Sequence, residues 1–277
     1  MKRVGVGAGE IEYREEGDPD GAPVVLLHGL LMNDAQWDTT LPLLPAGFRY
    51  LLPVLPLGGH RIPMPAAADL TMPGMVGIVG DFLEALDLTD VTLVISDWGG
   101  PLFLTDMGRD KRVGRLVICP CEAFDNFPPG SPGKAAALAT RTDASLRVSL
   151  AMLGNRRLRA LRPIFGTMAK HPVPQGIVDA WLTHARTDRR VRRDLAKYCR
   201  TRFDAADLIR ATGRLTEFPG PALVLWSENP VMPARHGSTL ARLIRGGRLV
   251  RIDDAHVLVM LDQPERTAAA IGQFLQE

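Results

Sequence analysis

Cysteine is scarce in this chain of 277 residues, with Cys119, Cys121 and Cys199 the only three. An odd, sparse set excludes a disulfide framework, and the spacing matches no metal-ligand pattern, so a reducing, cytoplasmic setting is expected. Long apolar runs are missing as well: none approaches the roughly 20 residues that span a bilayer as a helix. The opening stretch MKRVGVGAGEIEYREEG carries charges and lacks the apolar core of a secretory signal. Charge of one sign is also wanting. A formal net charge of +2 leaves no electrostatic footprint for nucleic acid or an anionic membrane surface. There are no internal repeats. What is present, 46% hydrophobic and 23% charged residues, suits a globular domain with one sizeable core.

Apolar strand-like runs alternate with helix-like segments in the first half. Val24–His28, Tyr50–Leu55, Val91–Ile95 and Leu116–Cys119 read as strands buried on both faces. Met75–Leu86 has helical apolar spacing, and Pro101–Met107 is expected to continue as a helix. Two further strand–helix units close the chain: Ala222–Trp226 with Ala234–Ile244, and Leu249–Ile252 with Pro264–Phe274. Strands separated by helices predict a mostly parallel sheet with right-handed crossovers. After Cys121 the pattern changes to a Pro/Gly-rich stretch and then an arginine-heavy helical region. The expected organisation is an α/β core over residues 1–123 and 214–277 with a helical lid inserted over 124–213. The arginines of the insert (Arg156, Arg157, Arg159, Arg162, Arg186, Arg189, Arg190, Arg192, Arg193) are expected on solvated faces rather than as an anion trap.

The chemistry concentrates at Val91-Thr-Leu-Val-Ile-Ser-Asp97-Trp98-Gly99-Gly100, a strand followed by small residues that permit a sharp turn. Such a turn lifts its central residue above the sheet edge, as a nucleophile elbow does. A carboxylate there can attack carbon and form an ester, and the N-terminus of a following helix would steady its charge. An N-cap role is the alternative for Asp97 alone. His28-Gly29-Leu30 ends an earlier strand at the same sheet edge, and the Leu30 and Trp98 amides are expected to form an oxyanion hole. His256, in the loop before Pro264, is expected to be the base. Ser96 precedes the elbow tip and is expected to point away from the pocket.

These residues resemble the α/β-hydrolase superfamily, through Val25-Leu-Leu-His-Gly29, Trp37, Pro-Ala-Leu-Val-Leu-Trp226 and His256…Gln263-Pro264-Glu265. Asp97-Trp98-Gly99-Gly100-Pro101 is similar to the elbow of haloalkane dehalogenases, and its first four residues resemble that of epoxide hydrolases. The resemblance implies an α/β-hydrolase fold, a mostly parallel sheet flanked by helices with an inserted helical lid. It also implies an aspartate nucleophile, a covalent ester and a histidine-activated water. Cys119-Pro-Cys-Glu122 resembles the segment that carries the triad acid in one dehalogenase subgroup. Glu122 is therefore preferred to Glu228, whose Trp226-Ser-Glu-Asn-Pro230 context lacks the aspartate common there.

Two departures matter. Leu30 stands where that subgroup has an asparagine that helps bind halide, leaving Trp98 and, from the insert, Trp181 as indole donors; Trp181 is otherwise a packing residue. The insert has one tyrosine, Tyr198, where epoxide hydrolases use a pair, and neither His171 nor His184 fits that pattern. His60-Arg61 faces the site or packs a loop. The expected protein is a haloalkane-dehalogenase-like hydrolase acting on a small apolar substrate, with Trp98, Trp181 and Tyr198 binding it. No metal or organic cofactor is implied. Epoxide hydrolysis is the alternative, and a small-molecule-binding protein without catalysis is a second one.

Overall fold

The computed structural model describes residues 1–162, 164–201 and 204–277. Eight strands form one sheet: β1 (Lys2–Val6), β2 (Gly9–Gly17), β3 (Ala22–Leu26), β4 (Phe48–Pro53), β5 (Val91–Asp97), β6 (Val113–Cys121), β7 (Ala222–Trp226) and β8 (Arg248–Arg251). Their order is β1-β2-β4-β3-β5-β6-β7-β8, antiparallel for β1/β2 and β2/β4 and parallel elsewhere. The central strand β5 is buried along its whole length, which is why its sequence is mostly apolar, with Thr92 the one polar residue before Ser96 and Asp97 at its end.

The first two strands were not anticipated. Their side chains alternate between a charged outer face and buried Ile11 and Tyr13, a half-buried pattern masked by Lys2, Arg3, Arg14 and the neighbouring glutamates. The other six strands lie where expected, to within a few residues.

Helix α1 (Met72–Ala85) starts where the Thr71 side chain accepts the Gly74 amide, and it buries Met75, Val76, Val79, Phe82 and Leu83 along one face. The helix expected over 101–107 is not formed. A single four-residue 3-10 turn, Gly100–Phe103, takes its place and then gives way to turns. Gly99, Gly100 and Pro101 in succession are poor helix formers, and the cost of starting a helix is not repaid.

Between β6 and β7 lie α2 (Gly130–Ala139), α3 (Asp143–Gly154), α4 (Arg156–Arg159), α5 (Gln175–Thr187), α6 (Arg189–Cys199) and α7 (Ala205–Gly213). Buried residues of α5 recur at helical spacing (Ile177, Val178, Trp181, Leu182, Ala185), and α6 buries Val191, Leu195 and Tyr198 in the same manner. These faces bring Trp181 and Tyr198 toward the carboxyl ends of the strands. The chain closes with α8 (Ala234–Leu243), α9 (Val259–Asp262) and α10 (Pro264–Leu275).

The connection after β3 leads outward to β4, whereas that after β5 leads the other way to β6. Neighbouring strands whose exits diverge open a crevice at their carboxyl ends, where ligands bind in such sheets. Leu30 follows one of these strands and Asp97 ends the other.

Candidate active site

Asp97 holds φ at +59°, a left-handed conformation that a residue with a side chain adopts at a cost of about 1–3 kcal/mol. The Trp98 amide donates to Ser96 O at 2.6 Å and closes a three-residue turn around Asp97. That bond occupies the amide expected as the second oxyanion donor, so in this resting geometry the Leu30 amide acts alone. It donates to Asp97 Oδ2 at 2.9 Å. Gly29 is required beside it, because a Cβ at that position would lie 2.1 Å from the same oxygen. With only a four-residue 3-10 turn behind the elbow, the steadying of Asp97 expected from a helix end falls to the Leu30 hydrogen bond instead. Burial raises the Asp97 carboxyl to about 6, and the bond from Leu30 opposes the rise.

His28 pins the neighbouring strand end. Its Nε2 accepts the Leu55 amide at 2.8 Å, which leaves the proton on Nδ1, 2.9 Å from Gly29 O. Burial lowers its pKa to about 4, so it stays neutral and structural. Ser96 is fully buried and its Oγ accepts from Gln36 Nε2 at 3.1 Å, away from the pocket as expected.

A cavity of about 1020 Å³ stands over Asp97. Its wall includes Leu30, Glu122, Leu150, Phe165, Met168, Val178, Trp181, Leu195 and Tyr198. Among the described residues, Asp97 and Glu122 are its only acidic lining residues, on an otherwise largely apolar surface. Tyr198 is buried, with its hydroxyl 3.9 Å from Met72 Sδ. Trp181 is buried among the lining residues, and its Nε1 has no acceptor among the described residues.

Trp98 departs from expectation: it is not a lining residue. Its ring folds over Gly100, where a Cβ would meet Cζ2 at 2.1 Å, and stands edge-on to Tyr198 with centroids 6.3 Å apart. Its Nε1 is likewise buried without an acceptor of hydrogen-bonding geometry among the described residues.

Glu122 sits beside the elbow. Its amide donates to Asp97 O at 3.2 Å, and its Oε2 accepts the Gly99 amide at 3.2 Å. Burial, then the charge of Asp97, pushes its carboxyl up to about 8. Glu228, the rival triad acid, is exposed to solvent.

His256 is not joined to either carboxylate. Its backbone amide donates to Asp262 Oδ2 at 2.8 Å and its carbonyl accepts from Ser227 Oγ at 2.5 Å. The ring does not line the cavity, and its buried Nδ1 has no hydrogen-bond partner among the described residues. Burial lowers its pKa, the nearby Asp262 charge opposes that, and the outcome favours the neutral ring a base requires.

His60 donates from Nε2 to Asp194 at 3.3 Å while its Nδ1 accepts the Gly58 amide at 3.2 Å; it packs a loop against α6 rather than entering the cavity. His171 contacts Asp254 near the surface. Much of the arginine excess of the insert is spent internally. Arg192 binds Asp143 and Ala185 O, Arg159 binds Leu153 O and Gln175, Arg186 binds Leu150 O, and Arg190 binds Asp188. No group of three or more potential metal ligands occurs among the described residues. Nor is any helix among them long and apolar enough to cross a membrane.

Residues 24–270 match the model of the alpha/beta hydrolase family. The chain belongs to that family. Among curated relatives, this α/β hydrolase is 39% identical to a haloalkane dehalogenase of Mycolicibacterium paratuberculosis over 111 residues, 39% of this chain and 36% of the relative. It is 32% identical to a haloalkane dehalogenase of Mycobacterium marinum over 165 residues, 58% of this chain and 52% of the relative. The matches thus span between about a third and about half of the relatives' length. In fold, the α/β hydrolase is similar to a variant of the meta-cleavage product hydrolase of Pseudomonas fluorescens IP01. The TM-score is 0.74 at 18% identity, over 100% of this chain and 97% of that one.

Proposed function

We propose that the protein is a hydrolase in which Asp97 attacks an electrophilic carbon and is freed from the resulting ester by water, with haloalkanes as the substrate class. The observation that carries this reading is the Asp97 carboxylate itself. It is held in a strained turn by the Leu30 amide and exposed to a largely apolar cavity. A carboxylate held in strain and lined up with a small-molecule cavity has a function beyond capping. The likeness of the sequence to haloalkane dehalogenases supports the choice of leaving group.

A departing halide needs donors. Trp181 offers a buried indole N–H without an acceptor among the described residues, and leaving such a donor unpaired costs about 1–3 kcal/mol. An anion released in the cavity would satisfy it. In the second step the Leu30 amide stays on the former Oδ2 as the tetrahedral intermediate forms. His256 draws the proton from water. To do so its ring turns toward the cavity, and its unpartnered Nδ1 gives up no hydrogen bond in that movement. Helices α2–α7 act as the lid over the site.

Leu30 lines the cavity with a side chain that has no donor, so halide release is expected to follow bond strength. Iodo- and bromoalkanes should react readily and chloroalkanes weakly, measured as halide released from 1-iodohexane, 1-bromohexane and 1-chlorohexane. Leu30→Asn should raise chloride release by about tenfold or more, less than the full 2.7–4 kcal/mol of an ideally aimed donor. Absence of halide release from all three substrates would remove the dehalogenase reading.

A further inference from the structure

A second concavity, a cleft of about 800 Å³, is walled by α6. Six cations line it, Arg189, Arg190, Arg192, Arg193, Lys197 and Arg200, against a single carboxylate, Asp143. Arg156 and Arg157 are solvated as expected, whereas these α6 arginines converge on one concave wall. Three of the six cations are neutralised: Arg190 by Asp188 at 2.8 Å, Arg192 by Asp143 at 2.6 Å and Arg193 by Asp194 at 2.7 Å. The other three have no carboxylate in ion-pair reach among the described residues. Lys197 Nζ is held by neutral carbonyls, Ala66 O at 2.5 Å and Ala68 O at 3.0 Å. Arg200 clasps Thr140 O through Nε at 2.8 Å and Nη2 at 2.6 Å, with Nη2 also 2.8 Å from Arg141 O. Arg189 is exposed.

This cleft adjoins the cavity over Asp97: Thr140, Thr142, Leu146 and Thr201 line both. Arg200 thus fixes an unneutralised charge on Thr140, a residue of the shared wall. We propose that the cleft holds the anionic end of the substrate, a carboxylate or phosphate, while an apolar chain passes the shared wall and presents its halogen-bearing end to Asp97. The proposal rests on the reading of Asp97 as nucleophile and specifies which haloalkanes the site takes, those that end in an anion.

The two spaces divide the work that an amphiphilic substrate requires. The cavity is largely apolar and carries Asp97 and Glu122, so an anion drawn fully inside would lose its hydration and meet like charge. In the cleft the carbonyls satisfy the donors of Lys197 and Arg200 without cancelling their charge, and concave walls focus the resulting field. Those two side chains are already held in place, so little further ordering accompanies the capture of an anion. The rival anchor is Arg159, a buried cation of the cavity wall. Its guanidinium is engaged by Leu153 O at 3.1 Å and Gln175 Oε1 at 3.2 Å.

The test compares kcat/KM for 8-bromooctanoate, 8-bromooctyl phosphate and neutral 1-bromooctane, read as bromide released by the full chain. At low salt the better of the two charged substrates should exceed 1-bromooctane by about tenfold or more, and it identifies the head group. The advantage should shrink as ionic strength rises, because the cleft is open to screening. Arg189→Glu and Lys197→Gln should each lower the charged-to-neutral ratio by about threefold or more, while Arg189→Lys keeps it. Equal values for charged and neutral substrates, or a ratio that neither substitution moves, overturns the proposal. So does a ratio lost in Arg159→Gln but kept in the cleft variants, which puts the anion inside the cavity. Adherence to phosphatidylglycerol vesicles with a ratio near unity reassigns the cleft to a membrane surface and overturns it too. Calorimetric binding of octanoate to the Asp97→Asn protein separates the two readings. If no substrate releases bromide, yet octanoate binds and Arg189→Glu weakens it, the nucleophile reading fails and the anion site stands. If 1-bromooctane turns over with Asp97 required while the charged substrates gain nothing, the anion site fails and the nucleophile reading stands.

Discussion

Asp97→Asn should abolish halide release from bromoalkanes, a loss on the order of 10⁴-fold or more, as expected when a covalent nucleophile is removed. The substitution is chosen to spare the fold. Asparagine tolerates the left-handed conformation at φ +59° better than alanine, and its amide oxygen can still accept the Leu30 N–H. What it removes is the negative charge that attacks carbon. A melting temperature close to the parent's, together with lost turnover, would separate a chemical role from the capping role that the sequence alone left open. Intact mass would guard against deamidation back to aspartate. A folded Asp97→Asn variant within about 100-fold of the parent rate would leave no place for the covalent scheme.

The second large effect concerns the attachment of the helical insert. Asp194 of α6 is fully buried, and its Oδ2 accepts the Met64 amide at 2.8 Å and His60 Nε2 at 3.3 Å. Its Oδ1 accepts Arg193 Nε at 2.9 Å. One carboxylate thus ties α6 to the loop after β4 and seats Tyr198, one turn further on, against the cavity. Asp194→Ala leaves the buried Met64 amide and the His60 imidazole without their acceptor, while the partly exposed Arg193 keeps its bond to Met64 O. An unsatisfied buried donor typically costs about 1–3 kcal/mol, so a loss of about 2–5 kcal/mol is expected in the unfolding free energy measured in urea. A change below about 1 kcal/mol would mean that water reaches these groups when the carboxylate is gone.

Much of this was legible beforehand, and the exceptions have physical reasons. The doubly buried strands were visible because burial on both faces demands continuous apolar runs, and the crevice followed from where those runs ended. Asp97, Leu30, Glu122, Trp181 and Tyr198 do meet at one cavity, because each is fixed by a strand end or by a helical face with clear periodicity. The β1–β2 hairpin is hard to see in the sequence because many of its residues are charged and only Ile11 and Tyr13 mark the inner face. The missing helix after the elbow is a case of tight-turn chemistry overriding apolar spacing: Gly99 and Gly100 allow Glu122 and the Trp98 ring to approach, and they give up helix propensity to do so. Trp98 and His256 went beyond what spacing can decide. Which way an indole folds over its neighbours, and which way a loop histidine turns, depend on contacts distant in sequence. For His256 these contacts include Ser227 and Asp262.

The most direct test of the account is the mass of His256→Gln after incubation with 1-bromohexane. If Asp97 attacks carbon and His256 serves only the water step, this variant should release about one equivalent of bromide and stop. The intact protein should then carry one hexyl group, located by peptide mapping on the segment that contains Asp97, and the adduct should persist for hours. Full turnover by the variant, or a bound hexyl group on any other residue, would contradict the account.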